Sequence, residues 1–341
     1  MIGAGAGAFQ VRIGAAPYGM LPSPTDVLAA AHRLRGVIER TPLLPSPGLG
    51  ERSGSSVFLK CEQRQRTGSF KIRGAYNVLA TLADDARGRG VVASSAGNHG
   101  LGLAWSAKEL GIRARVYVPA AAPAVKRDGI AALGAEVDAS QPDYDAAHRV
   151  AEDFAREHGM TFVNPCAGES LLAGQGTVAL EILEELPHVA AMIVPVGGGG
   201  LIGGIAALAR AVAPAVRLIG VQSAKTNAMA ASLAAGRRVD VPVPPTLADG
   251  LAGQIDDEGF AIGRASLDEI VTVTEPEIAS AIAWLSHEHD MRVEGSGAVG
   301  VAALLHNRIG PFTAPVAVVL SGGNIDDLRW RAIVDGPGAF S

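Results

Sequence analysis

Short apolar runs alternate along this chain with longer stretches in which apolar residues recur at helical spacing. Residues 57–60, 91–94, 114–118, 136–138, 192–196, 217–221, 269–273 and 315–320 predict strands. Between them, residues 70–82, 98–110, 144–158, 201–212, 275–289 and 297–307 predict amphipathic or buried helices. This β-α alternation predicts two open, twisted, mostly parallel sheets with helices on both faces, an α/β architecture. Residues 88–163 hold a self-contained β-α set. They predict a small domain inserted into a larger one made of residues 25–87 and 164–341. Residues 1–24 form an N-terminal extension with no core of its own. Its first twenty residues, rich in Gly and Ala, read as a floppy or partner-docked segment and not as a signal peptide.

Composition sharpens this reading at three points. With 48% hydrophobic and 18% charged residues over 341 positions, the chain is globular and has ample length for a large core. The net charge of −5 and scattered arginines predict no nucleic-acid partner, and no run of eighteen apolar residues predicts a membrane span. Cys61 and Cys166 are too few for a disulfide scaffold; each reads as a small packing residue in a reducing, cytoplasmic setting.

The chemistry concentrates in four segments. Thr67-Gly68-Ser69-Phe70-Lys71-Ile72-Arg73-Gly74 places one lysine at the start of a predicted helix, flanked by small polar residues and an aromatic. Ser95-Ala96-Gly97-Asn98-His99, Gly197-Gly198-Gly199-Gly200-Leu201 and Ser321-Gly322-Gly323-Asn324 each follow a predicted strand, where ligands bind in open α/β sheets. Lys71 could be one more surface charge, but its neighbours are not a solvated charge pattern. Asn98 and His99 could merely cap a helix. The four glycines exceed what a tight turn needs, and their exposed N–H groups before a helix suit a phosphate dianion. A dinucleotide site would want an acidic residue at the end of the next strand, which instead reads Gly220-Val221-Gln222-Ser223. A Schiff-base amine, a ring and carboxylate cradle, a phosphate nest and a hydroxyl for a pyridine nitrogen together imply pyridoxal 5'-phosphate. His287 and His289 read as solvated helix positions, and no Cys/His spacing suits a metal.

These segments resemble the fold-type II pyridoxal-phosphate enzymes, and within them the threonine/serine dehydratases. The likeness runs from about Thr25 to Val334 and includes Thr41-Pro42-Leu43, Ala173-Gly174-Gln175-Gly176-Thr177, Thr246-Leu247-Ala248-Asp249-Gly250 and Glu294-Gly295-Ser296-Gly297-Ala298. It is closest to the short catabolic threonine dehydratases, since little chain follows Asn324 to build a regulatory domain. The resemblance implies that Lys71 forms the Schiff base, Phe70 lines the ring and Asn98 contacts the ring hydroxyl. It also implies that Gly197, Gly198, Gly199, Gly200 and Leu201 hold the phosphate and that Ser321 faces the ring nitrogen. Lys71 and Ser95 are the catalytic candidates, and Ser95, Ala96, Gly97, Asn98 and His99 the substrate-binding ones. The implied reaction turns an L-β-hydroxy amino acid into a 2-oxo acid and ammonia in a homodimer or homotetramer. The cofactor's phosphate or a nearby water is the candidate for protonating the departing hydroxyl, and Glu294 is a lesser one.

Three departures bear on this. Serine racemases, also similar, carry a serine directly before the Gly-Asn pair, where this chain has Ala96; elimination is then favoured over racemisation. Where those racemases bind a divalent ion, this chain offers Gln222 and Ala228. Arg64 and Gln254 depart from the usual substrate-facing segments and point to a bulkier or more polar β-hydroxy amino acid. A β-replacement synthase or racemase of the same fold is the alternative activity, and a non-catalytic cofactor-binding protein is a weaker one.

Overall fold

The computed structural model describes residues 9–13 and 21–336. Among these, the strands in chain order are β1 (Gln10–Arg12), β2 (Leu43–Pro45), β3 (Val57–Lys60), β4 (Val91–Ser94), β5 (Ala114–Pro119), β6 (Glu136–Gln141), β7 (Thr161–Phe162), β8 (Ala191–Pro195), β9 (Arg217–Ser223), β10 (Glu269–Val273) and β11 (Val316–Val319). They form a seven-stranded sheet, in the order β1-β10-β9-β8-β11-β3-β2, and a four-stranded sheet, β6-β5-β4-β7. The smaller sheet is parallel throughout. The larger is parallel except at its edges, where β1 and β2 pair antiparallel with β10 and β3.

The central strands are buried on both faces, and the period of two divides their side chains between two cores. On β11, Val316 and Val318 join Ile193 of β8 in one core, with Ile278, Ile282, Val299 and Val301 from the helices Glu275–His289 and Gly295–Leu305. Ala317 and Val319 face the other way, into a core with Met192, Val194, Ile202, Ile205, Val178 and Ile182. The second set comes from the helices Gly200–Val212 and Glu169–Glu185. The small sheet repeats the arrangement, with Val91 and Ala93 on one side and Val92 with Tyr117 on the other.

Three of the predicted helices match their observed bounds: Asn98–Leu110, Tyr144–His158 and Glu275–His289. Their ends are chemically marked. Asp143 accepts from Ala146 N–H at the start of one, Thr274 and Glu277 form a capping box on another, and left-handed Gly111 and Gly159 terminate two of them. The short strands β1, β2 and β7 carry too few residues for a periodicity and lie outside the predicted set. Within the opening segment, expected to be floppy or partner-docked, residues 10–12 form β1 and pair with the outer edge of β10. The rest of the opening segment, residues 1–8 and 14–20, lies outside the described residues. No described helix is long and apolar enough to cross a membrane.

Candidate active site

The loops after β4, β8 and β11 meet the lysine run at the carboxyl ends of the strands. Residues 67–70 are stitched to the loop after β11: Ser69 bridges to Gly322, Phe70 N–H donates to Ser321 O (3.1 Å) and Gly323 N–H donates to Gly68 O (2.9 Å). Gly68 sits at φ +73°, and a β-carbon there would lie 2.3 Å from Asn324 Oδ1. Only glycine lets the two chains approach this closely.

Lys71 opens the helix Lys71–Ala80, whose N-cap, Phe70, makes no side-chain capping bond. Its Nζ donates to Pro165 O (2.7 Å), lies 3.9 Å from Cys166 Sγ and stands 5.3 Å from the centre of the Phe70 ring. No carboxylate pairs with it among the described residues. A half-buried amine held only by a carbonyl is poised to exchange that bond for another partner.

The glycine run lies against the same segment. A β-carbon on Gly198 would come within 2.7 Å of Cys166 Sγ, and one on Gly200 within 2.9 Å of Cys166 O. Gly199, at φ +101°, is the N-cap of the helix Gly200–Val212, and no side chain caps that helix. Its first-turn N–H groups are therefore open to an anion, with the helix dipole behind them. Leu201 is buried.

Asn98 is the first residue of its helix and does not cap it; Gly97 does, without a side-chain bond. The Asn98 amide is instead fixed from both ends. Its Nδ2 donates to Glu294 Oε1 (2.8 Å), and its Oδ1 accepts from Asn324 Nδ2 (2.7 Å), which also donates to Thr67 O (2.8 Å). The second N–H of Asn98 has no partner among the described residues. Ser95 Oγ accepts from Gly97 N–H (3.2 Å), and buried Ser321 holds only a long contact to Ser296 O (3.5 Å). Ala96, partly buried, packs against the small sheet's core. His99 is buried with its Nε2 on Val163 O (3.0 Å); burial first, and the charge of Lys71 second, hold its pKa down at about 3. The imidazole is therefore neutral and does not compete with Lys71 for protons.

Glu294 is 6% exposed. Burial, and then the charge of Asp249, push its carboxyl up to about 7, with Asn98 and Lys126 pulling partly back. The folded-state value lies above the ordinary 4.5, so the folded protein holds a proton that the unfolded chain has released between about pH 4.5 and 7. The stability this provides is full below that window and is lost as pH rises through it. Glu294→Gln keeps an oxygen for Asn98 but cannot titrate. It is expected to flatten the dependence of melting temperature on pH across this window, measured by calorimetry; an unchanged slope would assign the effect to another group.

Several contributors were not evident from the sequence. Glu294, considered there only as a proton donor, and Asn324 act on Asn98. Cys166, expected to pack as a small apolar residue, is partly exposed beside Lys71, because Pro165 and the Asn164 side chain (accepting from the N–H groups of Cys166 and Ala167) fold the segment into the cleft. His289 is half-buried on Ser46 and Trp284, whereas His287 is exposed. Gln222 accepts from Ala230 N–H, Gln254 is bonded to Val241 N–H and O, and Arg64 is the exposed last residue of the turn Glu62–Arg64.

The residues present fit pyridoxal phosphate on two of these observations: an uncapped helix N-terminus behind a glycine cradle, and an amine with no ionic partner. A profile of the family described as "Pyridoxal-phosphate dependent enzyme" matches residues 34–322. The chain is 45% identical over 302 residues to an L-threonine ammonia-lyase of Thermotoga maritima, covering 88% of this chain and 75% of that protein. It is 35% identical to an L-threo-3-hydroxyaspartate ammonia-lyase of Saccharomyces cerevisiae, over 93% of this chain and 98% of that one. The solved structure of maize serine racemase superposes with a TM-score of 0.87 at 32% identity, covering 92% of this chain and 98% of the other.

Proposed function

Because the chain belongs to the pyridoxal-phosphate-dependent enzymes, we propose that it is an ammonia-lyase acting by α,β-elimination. Its substrate is an L-β-hydroxy amino acid of the threonine or serine type, and its products are a 2-oxo acid and ammonia. The observation that carries this is the set of contacts joining Lys71, the glycine run and Asn98 around one cleft, in a chain whose near relatives are named for that activity. When bound, pyridoxal phosphate supplies an aldehyde for an amine and a conjugated ring that acidifies the substrate's α-proton.

The rest falls to the chain. Lys71 Nζ, once its bond to Pro165 O is exchanged, is the base that takes the α-proton. The N–H groups of Gly197 to Leu201 bind the phosphate. Asn98, clamped by Glu294 and Asn324, presents its spare N–H to the ring hydroxyl without having to reorganise. Ser321 offers the ring nitrogen a neutral hydroxyl, which does not hold a proton there as a carboxylate does. The segment Ser95 to His99 receives the substrate's carboxylate. At Ala96 there is no group to return a proton on the second face, which favours loss of the β-hydroxyl over inversion; Ser95 is the nearest hydroxyl to that position in sequence. The proposed assembly is a homo-oligomer in the cytoplasm, supported by the exposed apolar side chains Leu328 and Val212 and by two free cysteines.

The test is an absorbance scan of the purified protein, followed by 2-oxo acid release from L-threonine, L-serine and L-threo-3-hydroxyaspartate. A near-visible band that borohydride bleaches, with 2-oxobutanoate from L-threonine, is the expected result. A band with D-serine formed from L-serine and no 2-oxo acid would replace the lyase with a racemase. Absence of the band would remove the cofactor from the mechanism.

A further inference from the structure

The largest fully buried side chain in the described protein is not a hydrophobe but Arg73, two residues beyond Lys71. Its Nε and Nη2 donate to Glu62 Oε2 and Oε1, both at 2.8 Å. Its Nη1 and Nη2 donate to Glu181 Oε1 and Oε2, at 2.7 and 3.0 Å, and Nη1 also donates to Thr177 Oγ1 at 3.0 Å. Lys60 Nζ donates to Glu181 Oε2 and to Thr41 O, both at 2.6 Å, and Thr41 Oγ1 donates to Glu62 Oε1. Arg73, Lys60 and Glu62 are wholly buried and Glu181 nearly so. Two cations face two carboxylates, so the cluster is neutral as a whole.

Such a cluster is a poor device for stability, since desolvating four charges consumes most of what their attraction returns. Apolar side chains of equal volume would pack these helices as well. What the charges add is uniqueness of geometry: a planar guanidinium engaged by two carboxylate forks accepts one position and one orientation. The location makes that useful. At about 100° per residue, Arg73 projects from the helix about 200° round from Lys71. The helix starts without a capping side chain, and at that same start it is tied to Ser321 through Phe70 N–H. One helical turn is thus held at the cofactor side by the loop after β11 and at the far side by Arg73. Any rotation or slip that Arg73 permits is delivered directly to the Lys71 amine. The crossing is also tight along its length, because a β-carbon on Gly174 would lie 2.5 Å from Arg73 O.

We propose that Arg73 is a positioning residue for Lys71: the buried Lys60–Glu181–Arg73–Glu62 cluster sets the rotation and depth of the helix Lys71–Ala80, and hence the place of the reacting amine. This rests on the reading of Lys71 as the base and Schiff-base amine. Wild type and Lys71→Ala are the controls for that reading, which fails on its own if the wild-type band resists borohydride or if the Lys71→Ala protein retains the band.

The experiment is Arg73→Lys in the holoenzyme, which keeps the charge and removes the forks. Three quantities are read: melting temperature, the kcat and KM split, and the pH midpoint of the Lys71-dependent absorbance band. The expected result is a folded protein with kcat lowered about 100-fold, as a misplacement near 1 Å produces. KM stays close to wild type and the pH midpoint of the band is displaced, which lost stability alone does not cause. A folded variant with wild-type kcat and midpoint overturns the proposal. So does a fall in kcat that disappears on cooling in step with the unfolded fraction. If Arg73→Lys does not fold, Glu181→Gln and the charge-balanced pair Lys60→Met with Glu181→Gln are compared. A displaced midpoint and low kcat in both variants, which share the loss of the Glu181 fork, support the proposal; recovery in the pair assigns the effect to net charge and overturns it, as do wild-type values in both.

Discussion

Lys71→Ala is expected to fold normally and to lose turnover by at least about 10³-fold, the scale of a missing general base at a preorganised site. The prediction is severe because Lys71 Nζ contacts Pro165 O and lies beside Cys166, with no second amine or neutral histidine in hydrogen-bond contact with it among the described residues. His99, the histidine nearest to Lys71 in sequence, is buried and committed to Val163 O. Removing the Lys71 side chain also leaves the helix start intact, since Phe70 N–H, not Lys71, ties it to Ser321. The measurement is kcat for 2-oxo acid release together with the borohydride-sensitive band. Partial rescue by added methylamine would place the defect in the missing amine. Retained turnover would remove Lys71 from the chemistry and with it the proposed elimination.

The second large effect is expected at Gly199. Its φ of +101° is a conformation that side chains with a β-carbon adopt at a cost of about 1–2 kcal/mol. An added β-carbon would also meet Ile262 Cγ2 at 3.2 Å and Gly259 O at 3.4 Å. The loop can relieve this only by turning its N–H groups away from the position they share at the helix start. Gly199→Val is therefore expected to weaken cofactor binding by about tenfold or more, about 1.4 kcal/mol per decade. Titrating the apoprotein with pyridoxal phosphate and with pyridoxal separates the causes. Loss confined to the phosphorylated form places the damage in the anion nest; equal loss for both would deny the loop its proposed role.

Much of the architecture was legible because apolar residues recur at helical spacing between short apolar runs. The structure adds why two of those helices stop where they do: Asp143 with Gly159, and Thr274 with Glu277, close their ends. Three of the four chemistry-bearing segments were legible because small residues clustered after strands have few uses other than close approach to a ligand. What could not be read are partners distant in sequence. Asn98 meets Glu294 across 196 positions and Asn324 across 226, and nothing local in any of the three announces the pairing. Arg73 likewise draws its partners from the turn after β3 and from the helix Glu169–Glu185. In sequence it is one basic residue in a helix. Cys166 was misjudged because thiols are usually buried for packing, whereas here a proline and an asparagine turn it outward.

The strand order has a consequence for how the molecule is made. β11, residues 316–319, lies between β8 and β3, residues 191–195 and 57–60, and hydrogen-bonds to both. On a ribosome, residues 91–162 can complete the small sheet early, while the large one waits as two separate halves with open inner edges until β11 emerges. Ser321 and the bond that anchors Phe70 arrive only with that final insertion. The nascent chain therefore carries its lysine and its glycine run without a finished place for them until β11 inserts. Capture of the cofactor waits on that insertion, and the exposed edges of β8 and β3 are the surfaces a chaperone would have most reason to guard.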